Sequence, residues 1–331
     1  MNEKQIETRQ GVFRVRPYQS EDEAGVLSLW RAAFGKDISS PLWRWKYLEN
    51  PYPIQIGVTV ADNGRIMVMY GGIPYRVNWM GTEVRMTHLM DIMSHSDCRG
   101  SGLFVKSGLA FFDLFAGPER TLFYYGFPGK YHFDIGKKYL DYQALNGGMC
   151  FLVAKAGEMT PKIGGLSKRI DRIKHVDGTF DTFWNECRRY YPFSVIRDSA
   201  FIHWRFFEHP LKSYELWGYG SRFRKGVRAY AVFSLDEGKA RMVDICAPSS
   251  EGLVTDFLGR LGRYFHERGI DEIEAWLPQD HFLARFAVSA GFNRVKEPLE
   301  FVPTGRSFHP DLSVAWASKN LFYTMADGDL L

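Results

Sequence analysis

The stretch of this sequence with the plainest chemical content is residues 91–104, DIMSHSDCRGSGLF. An extended segment runs into Arg99-Gly100-Ser101-Gly102, and a helix-compatible run starts near Leu103. Main-chain N–H groups that converge at the start of a helix, on the positive end of its dipole, make an anion site. Glycines there let phosphate oxygens approach the backbone without a Cβ in the way, so the loop fits a pyrophosphate. It is not a P-loop, since the Gly-Lys-Ser/Thr ending is missing. It is not the dinucleotide fingerprint either, which needs a third Gly and a parallel βαβ setting. A glycine turn between strand and helix is also a common structural device, so the surrounding elements must decide between the two readings.

Those elements read as a mixed α/β chain. FRVRPY (13–18) alternates apolar and basic residues as a half-exposed strand does. Ser20 and Glu23 suggest a capping box, and Val26, Leu29, Trp30 and Ala33 then share one helical face up to Gly35. A second short helix is expected from Ser40, with Pro41 at its first position, where a missing N–H costs nothing, to Pro51. Strands follow: IGVTVA, a turn at Asp62-Asn63-Gly64, a long run to Met80, and Val84 to Ser94 leading into the glycine loop. After the helix at about 103–115 come a strand at TLFYYGF (121–127), a helix near 131–138 and short strands to about Val153.

This order then recurs. LWRWKYLENP (42–51) and FIHWRFFEHP (201–210) place Trp45 and Trp204 at matching positions, and Asp91-Ile92 is matched by Asp244-Ile245. Two anchors in the same order, with helices and strands of like type between them, indicate a duplicated domain. The spacing gives a first domain at 12–154, a linker at 155–175 and a second domain at 176–325. Within the decapeptides the aromatic residues read as packing, with a share of a pocket wall as the alternative.

The 331 residues carry 42 basic and 38 acidic side chains, a net charge of +4 that is too small and dispersed to mark a nucleic-acid or membrane surface. KRIDRIKH (168–175) is the one basic run, and a solvated linker explains it better than nucleic-acid binding. Cys98, Cys150, Cys187 and Cys246 form no CxxC pair, so neither a disulfide framework nor a metal site is indicated. The opening MNEKQIETRQ lacks an apolar signal core, and no apolar run nears the ~20 residues that span a bilayer. A cytoplasmic protein with no membrane partner is expected.

With strand, RGxG loop and helix in this setting, the sequence resembles the GNAT superfamily of acyl-CoA-dependent N-acyltransferases. The repeat resembles its subgroup with two GNAT-like domains in one chain, in which segments like WRFFEHP recur. The resemblance implies acetyl-CoA, or another acyl-CoA, as co-substrate. Arg99, Gly100, Ser101, Gly102, Leu103 and Phe104 would wrap the pyrophosphate, and Ile92, Met93 and Ser94 would hydrogen-bond the pantetheine arm. Two departures stand out: Phe104 replaces the usual small residue, and Gly129 stands where an Asn is frequent. The second copy has APSSEGLV in place of SHSDCRGSGL, with Glu251 set to repel a pyrophosphate, so no CoA is expected there. AGFNRV (290–295) still resembles the superfamily's closing Gly-Phe.

Acyl transfer to an amine needs the amine deprotonated, the thioester carbonyl polarised and the thiolate protonated. The resemblance implies a Tyr near the helix after TLFYYGF as proton donor to sulfur. Tyr124, Tyr125, Tyr131 and Tyr139 qualify, and Tyr131 is favoured. Asp91 is read as base or acceptor anchor, with a structural role shared with Asp244 as the alternative. His88 and His95 read as solvated or hydrogen-bonded residues, and Cys98 as an inert thiol. The expected activity is N-acetyl transfer to the amine of a small molecule such as an amino sugar or amino-acid derivative. The alternatives are a non-catalytic acyl-CoA-binding scaffold and an aminoacyl-tRNA-dependent aminoacyltransferase of the peptidoglycan cross-bridge type. Small-molecule acceptors are the expected partners, and the aromatic content allows a homodimer.

Overall fold

The computed structural model describes residues 3–145, 148–161, 168–221, 224–296 and 300–328. The chain divides into two compact units, each assembled from separate stretches: Met1–Arg76, Val84–Ala144 and Val302–Val314 in the first, Val77–Glu83, Leu145–Phe301 and Ala315–Leu331 in the second.

In the first unit the order is β1 (Lys4–Thr8), β2 (Gly11–Pro17), α1 (Glu23–Phe34), α2 (Ser40–Trp43), β3 (Gln55–Ala61), β4 (Ile66–Trp79), β5 (Thr82–Leu89), β6 (Met93–Ser94), α3 (Leu103–Phe115), β7 (Phe123–Gly126), α4 (Lys130–Tyr139) and β8 (Gln143–Ala144). Helix α1 buries Val26, Leu29 and Trp30, the face its spacing predicts, and stops at Gly35 in the left-handed conformation. Its start differs from expectation. The capping box is Gln19 with Asp22, not Ser20 with Glu23, because Asp22 is already held by two bonds from Arg16 at 2.6 and 2.8 Å. The sheet runs β1-β2-β3-β4-β5-β7, then a strand from residues 304–307, then β8. Along this path β1 with β2, β2 with β3, β3 with β4, β7 with β17 and β17 with β8 pair antiparallel, whereas β5 and β7 lie parallel through Met86↔Phe123, Thr87↔Tyr124 and His88↔Tyr125.

The second unit continues with β9 (Met149–Lys155), β10 (Lys168–Ile173), α5 (Thr179–Cys187), β11 (Phe193–Val195), α6 (Ser199–Ile202), β12 (Glu215–Ser221), β13 (Arg224–Asp236), β14 (Lys239–Cys246), α7 (Glu251–His266), β15 (Glu272–Pro278), α8 (Phe282–Ser289) and β16 (Asn293–Val295). The chain then supplies β17 (Thr304–Ser307) to the first unit's sheet and ends with α9 (Val314–Asn320) and β18 (Leu321–Phe322). The second sheet is ordered β10-β12-β13-β14-β15-β9-β16, with β14 and β15 the parallel pair. Strand for strand this matches β2-β3-β4-β5-β7-β17-β8.

The match exposes an exchange that alters the expected boundaries. The strand beyond β7 in the first sheet is β17, from residues 304–307, and the strand beyond β15 in the second is β9, which sequence spacing places in the first domain. A strand's own alternation, as in MCFLVAK with its half-buried and buried residues in turn, says that it is a strand but not which edge it joins. The expected linker is also partly structured: Lys168–Ile173 pairs antiparallel with β12, and residues 162–167 lie outside the described set.

Candidate functional site

Beyond His88↔Tyr125 strands β5 and β7 part. The segment 84–94, expected as one strand, breaks at residues 90–92 and resumes as β6, which pairs back onto β4 through Val68↔Ser94 and Met69↔Met93. At the break Asp91 takes φ of 51°, in the left-handed region that Asp tolerates better than most residues but that still costs energy. A buried chain of hydrogen bonds fixes the strands just below: Thr87 Oγ1 donates to Gln55 Oε1 (2.7 Å) and Gln55 Nε2 to Thr121 Oγ1 (2.6 Å). Close approach adds to this rigidity, since a Cβ on Gly72 would sit 2.3 Å from the His88 carbonyl oxygen.

The LWRWKYLENP segment reaches this break. Ser39 caps α2, accepting from the Leu42 N–H, and Arg44–Leu48 then widens into a π-helical turn closed by Glu49 N–H to Arg44 O at 2.7 Å. Wide turns of this kind are rare and cluster at functional sites. Here the turn points Lys46 and Tyr47 at Asp91: Lys46 Nζ lies 2.5 Å from Oδ2 and Tyr47 OH donates to the same oxygen at 2.6 Å. Trp43, fully buried, packs on Tyr47 at 4.7 Å between ring centroids. Lys46 and Tyr47 are buried, whereas the Asp91 side chain keeps 13% of its surface exposed.

Downstream lies the glycine loop. Gly100 and Gly102 both take the left-handed conformation (φ 75° and 77°), and Gly102 opens α3. A Cβ on either would meet no protein atom within 4 Å, so both glycines face outward. Ser101 works inside the loop: its hydroxyl donates to Cys98 O (2.7 Å) and accepts from Leu103 N–H (3.1 Å). Arg99 is exposed. Leu103 is wholly buried among Phe13, Met67, Val68 and Cys98, which leaves its main chain as the part that faces the loop.

Of the expected pantetheine strand, Met93 is buried, while Ile92 and Ser94 are partly exposed. Ile92 and Phe104 pack against one aromatic cluster containing Tyr70, Phe111 and Phe112. Phe104 also meets the edge of His132 on α4 at 5.5 Å, and burial pushes the His132 pKa down. Cys98 is an inert thiol in geometry as well: it is buried, and burial raises its pKa. His95 is engaged by the loop, accepting from Asp97 N–H and lying 2.6 Å from Arg65. His88 is buried and stacks on Tyr125 at 4.9 Å.

Among the tyrosines, Tyr124 and Tyr125 are sealed in the sheet and Tyr139 ends α4, whereas Tyr131 stands on its first turn with 82% of its surface exposed. The sequence reads Tyr47 as packing and leaves Lys46 in solvent, whereas the structure buries Lys46 against Asp91. The signal that marks them is a lysine inside an aromatic stripe, where a charge has no place unless something neutralises it.

In the second unit the corresponding strands β14 and β15 part after Met242↔Ala275. Asp244 lies within β14 just past this point, fully buried, and takes bonds from Arg197 Nε (3.0 Å), Tyr230 OH (2.9 Å) and Thr324 Oγ1 (2.9 Å). Residues 321–328 fill the gap. All are buried: β18 pairs with β11, the turn Met325–Asp327 packs on both β14 and β15, and Asp327 bonds Arg197. Arg205, the counterpart of Lys46 in a second π-helical turn (His203–Phe207), donates to the Ala326 carbonyl at 3.0 Å.

Comparison with known proteins follows this geometry. Residues 14–107 match the family described as acetyltransferase (GNAT) domain, a span that includes the π-helical turn, Asp91 and the glycine loop. No curated protein matches the chain in sequence. Among solved structures, a probable N-acyltransferase of unknown function from Enterococcus faecalis V583 is similar over 92% of this chain and 74% of its own, at 16% identity and a TM-score of 0.69. A GCN5-related N-acetyltransferase from Anabaena variabilis ATCC 29413 is similar over 90% and 73%, at 12% identity and 0.68. The GCN5-related glucosamine N-acetyltransferase region of a fungal multi-domain GH3 beta-N-acetylglucosaminidase is similar over 88% of this chain and 38% of that one, at 14% identity and 0.55. Identities this low speak for the fold, which is mixed α/β with GNAT neighbours. With the matched domain they support an acyltransferase. Among the described residues no group of His, Cys, Asp and Glu is arranged to hold a metal, and no helix is long and apolar enough to cross a membrane.

Proposed function

We propose that the first unit is an acyl-CoA-dependent N-acyltransferase, that acetyl-CoA is its donor, and that a small primary amine such as an amino sugar is its acceptor. Both units are read as copies of one GNAT fold, the second without CoA. The observation that carries this is the pair of outward-facing, left-handed glycines opening α3 directly downstream of the strained break at Asp91. Backbone N–H groups of that loop are suited to the pyrophosphate, and the open edge of residues 92–94 to the pantetheine amides. The glucosamine acetyltransferase among the structural neighbours supports an amino sugar as the first acceptor to try.

In the reaction the amine lone pair forms a C–N bond to the thioester carbon. The C–S bond breaks with its electron pair going to sulfur, the nitrogen loses a proton, and amide and CoA thiol result. Asp91 is assigned to the nitrogen. Tyr131 is assigned to the sulfur, as the candidate tyrosine that is both at the start of α4 and open to solvent.

Calorimetric titration of acetyl-CoA into the wild type and Gly102→Glu tests the assignment. Binding at one site per chain in the wild type, and none in the variant, is expected. Binding without thiol release in the presence of amines would favour the scaffold, and no binding at all would leave the aminoacyl-tRNA reading.

A further inference from the structure

The cluster at residues 46, 47 and 91 contains an asymmetry. Oδ2 of Asp91 receives both the Lys46 ammonium and the Tyr47 hydroxyl, and no bond to Oδ1 is formed among the described residues. The carboxylate is held in a strained backbone conformation at the point where β5 and β7 part, and it keeps a partly exposed edge. Two buried donors on one oxygen, delivered by a rare wide helical turn, are more than burial of an aspartate requires. One buried partner would neutralise it; two fix its rotation.

We propose that Lys46 and Tyr47 are positioning residues that pin Asp91 through Oδ2, so that Oδ1 accepts a hydrogen bond from the acceptor's nitrogen as it attacks. The formal charges of Lys46 and Asp91 cancel, so this subsite favours a neutral amine, which is nucleophilic, over an ammonium ion, which is not. As the C–N bond forms, the surplus proton on nitrogen passes to Oδ1 and on to solvent, while Lys46 keeps its own. This assignment rests on the acyltransferase reading of the first unit.

The test uses the full chain with acetyl-CoA, glucosamine as acceptor, and thiol release as readout. In Tyr47→Phe and Lys46→Met kcat/KM for glucosamine falls about tenfold, the size of one lost hydrogen bond, with acetyl-CoA affinity unchanged. Removing the Lys46 charge leaves the subsite negative, so tetramethylammonium inhibits Lys46→Met about tenfold better than wild type, and Lys46→Arg reverses this. A wild-type kcat/KM in both variants, or no gain in sensitivity to tetramethylammonium, overturns the proposal. Should Lys46→Met not fold, Tyr47→Phe, which leaves the ion pair in place, carries the kcat/KM test.

A second arm does not need turnover: the carboxyl resonance of Asp91 in 13C-labelled protein, assigned with Asp91→Asn, is followed on adding methylamine. If the wild type acetylates no amine, the acyltransferase reading fails by itself. A shifted resonance then still keeps the amine subsite, and a resonance unmoved by saturating methylamine removes it.

Discussion

The two units share a strand order, a π-helical turn and an aspartate at the parting of two parallel strands, yet treat that aspartate in opposite ways. In the first, Asp91 is gripped from one side by Lys46 and Tyr47 and keeps a solvent edge. In the second, Asp244 is enclosed by Arg197, Tyr230 and Thr324, and residues 321–328 lie in the gap. The cations come from different places. Arg197 stands where the repeat spacing puts Ile38 in the first copy, while Arg205, the counterpart of Lys46, serves the tail's carbonyl. One architecture thus supports either a partly open carboxylate or a sealed one, and a few side chains choose between them.

The largest way to sharpen this contrast is Arg197→Leu. It leaves Asp244 and Asp327 without their buried cation and should cost about 3–5 kcal/mol in urea unfolding, while acetyl-CoA affinity of the folded protein stays as in wild type. Equal losses in both would break the division of labour.

Acid should act on the sealed side. Burial, with help from the charge of Arg197, holds the His281 pKa down at about 3, against 6.5 ordinarily. Below about pH 6.5 the unfolded chain takes up a proton that folded His281 refuses. Stability should therefore fall by about 1.4 kcal/mol per pH unit on this account alone between those two values. His281→Asn keeps an acceptor for the Leu283 N–H and cannot titrate, so denaturation against pH should show a shallower acid slope. An unchanged slope would remove His281 from the account.

Gly102→Ala tests the open side with a smaller effect: a left-handed alanine should cost about 1 kcal/mol in thermal unfolding and weaken acetyl-CoA several-fold. The smallest effect expected is Glu251→Gly. If the tail and not one repelling charge closes the second unit, calorimetric stoichiometry stays at one acetyl-CoA per chain, and a second site would contradict that reading.

What could be read from the sequence was what is encoded locally. The glycine loop, the start of α2 at Ser40, the stop at Gly35 and the repeated decapeptide follow from spacing over a few residues. Lys46 was missed because its meaning lies 45 residues away, at Asp91. The seal over Asp244 was missed because Thr324 lies 80 residues further on. Trp45 and Trp204 identify corresponding turns without revealing that one serves a carboxylate and the other a tail. Tyr131 was chosen by position on its helix, and the structure adds that its ring is in solvent while its rivals Tyr124 and Tyr125 are sealed.

The exchanged strands bear on how the chain is made. Strand β7 ends at Gly126 and its outer neighbour β17 at Ser307, 307 − 126 = 181 residues later. At about 5–20 residues per second, a ribosome needs roughly 10–40 s to deliver the second after the first. During that interval the first sheet presents a bare edge at β7, of the kind that invites pairing with a neighbour. A gene cut between the two copies would leave β17 and β9 each in the wrong half, so the first sheet keeps its bare edge until β17 has been made.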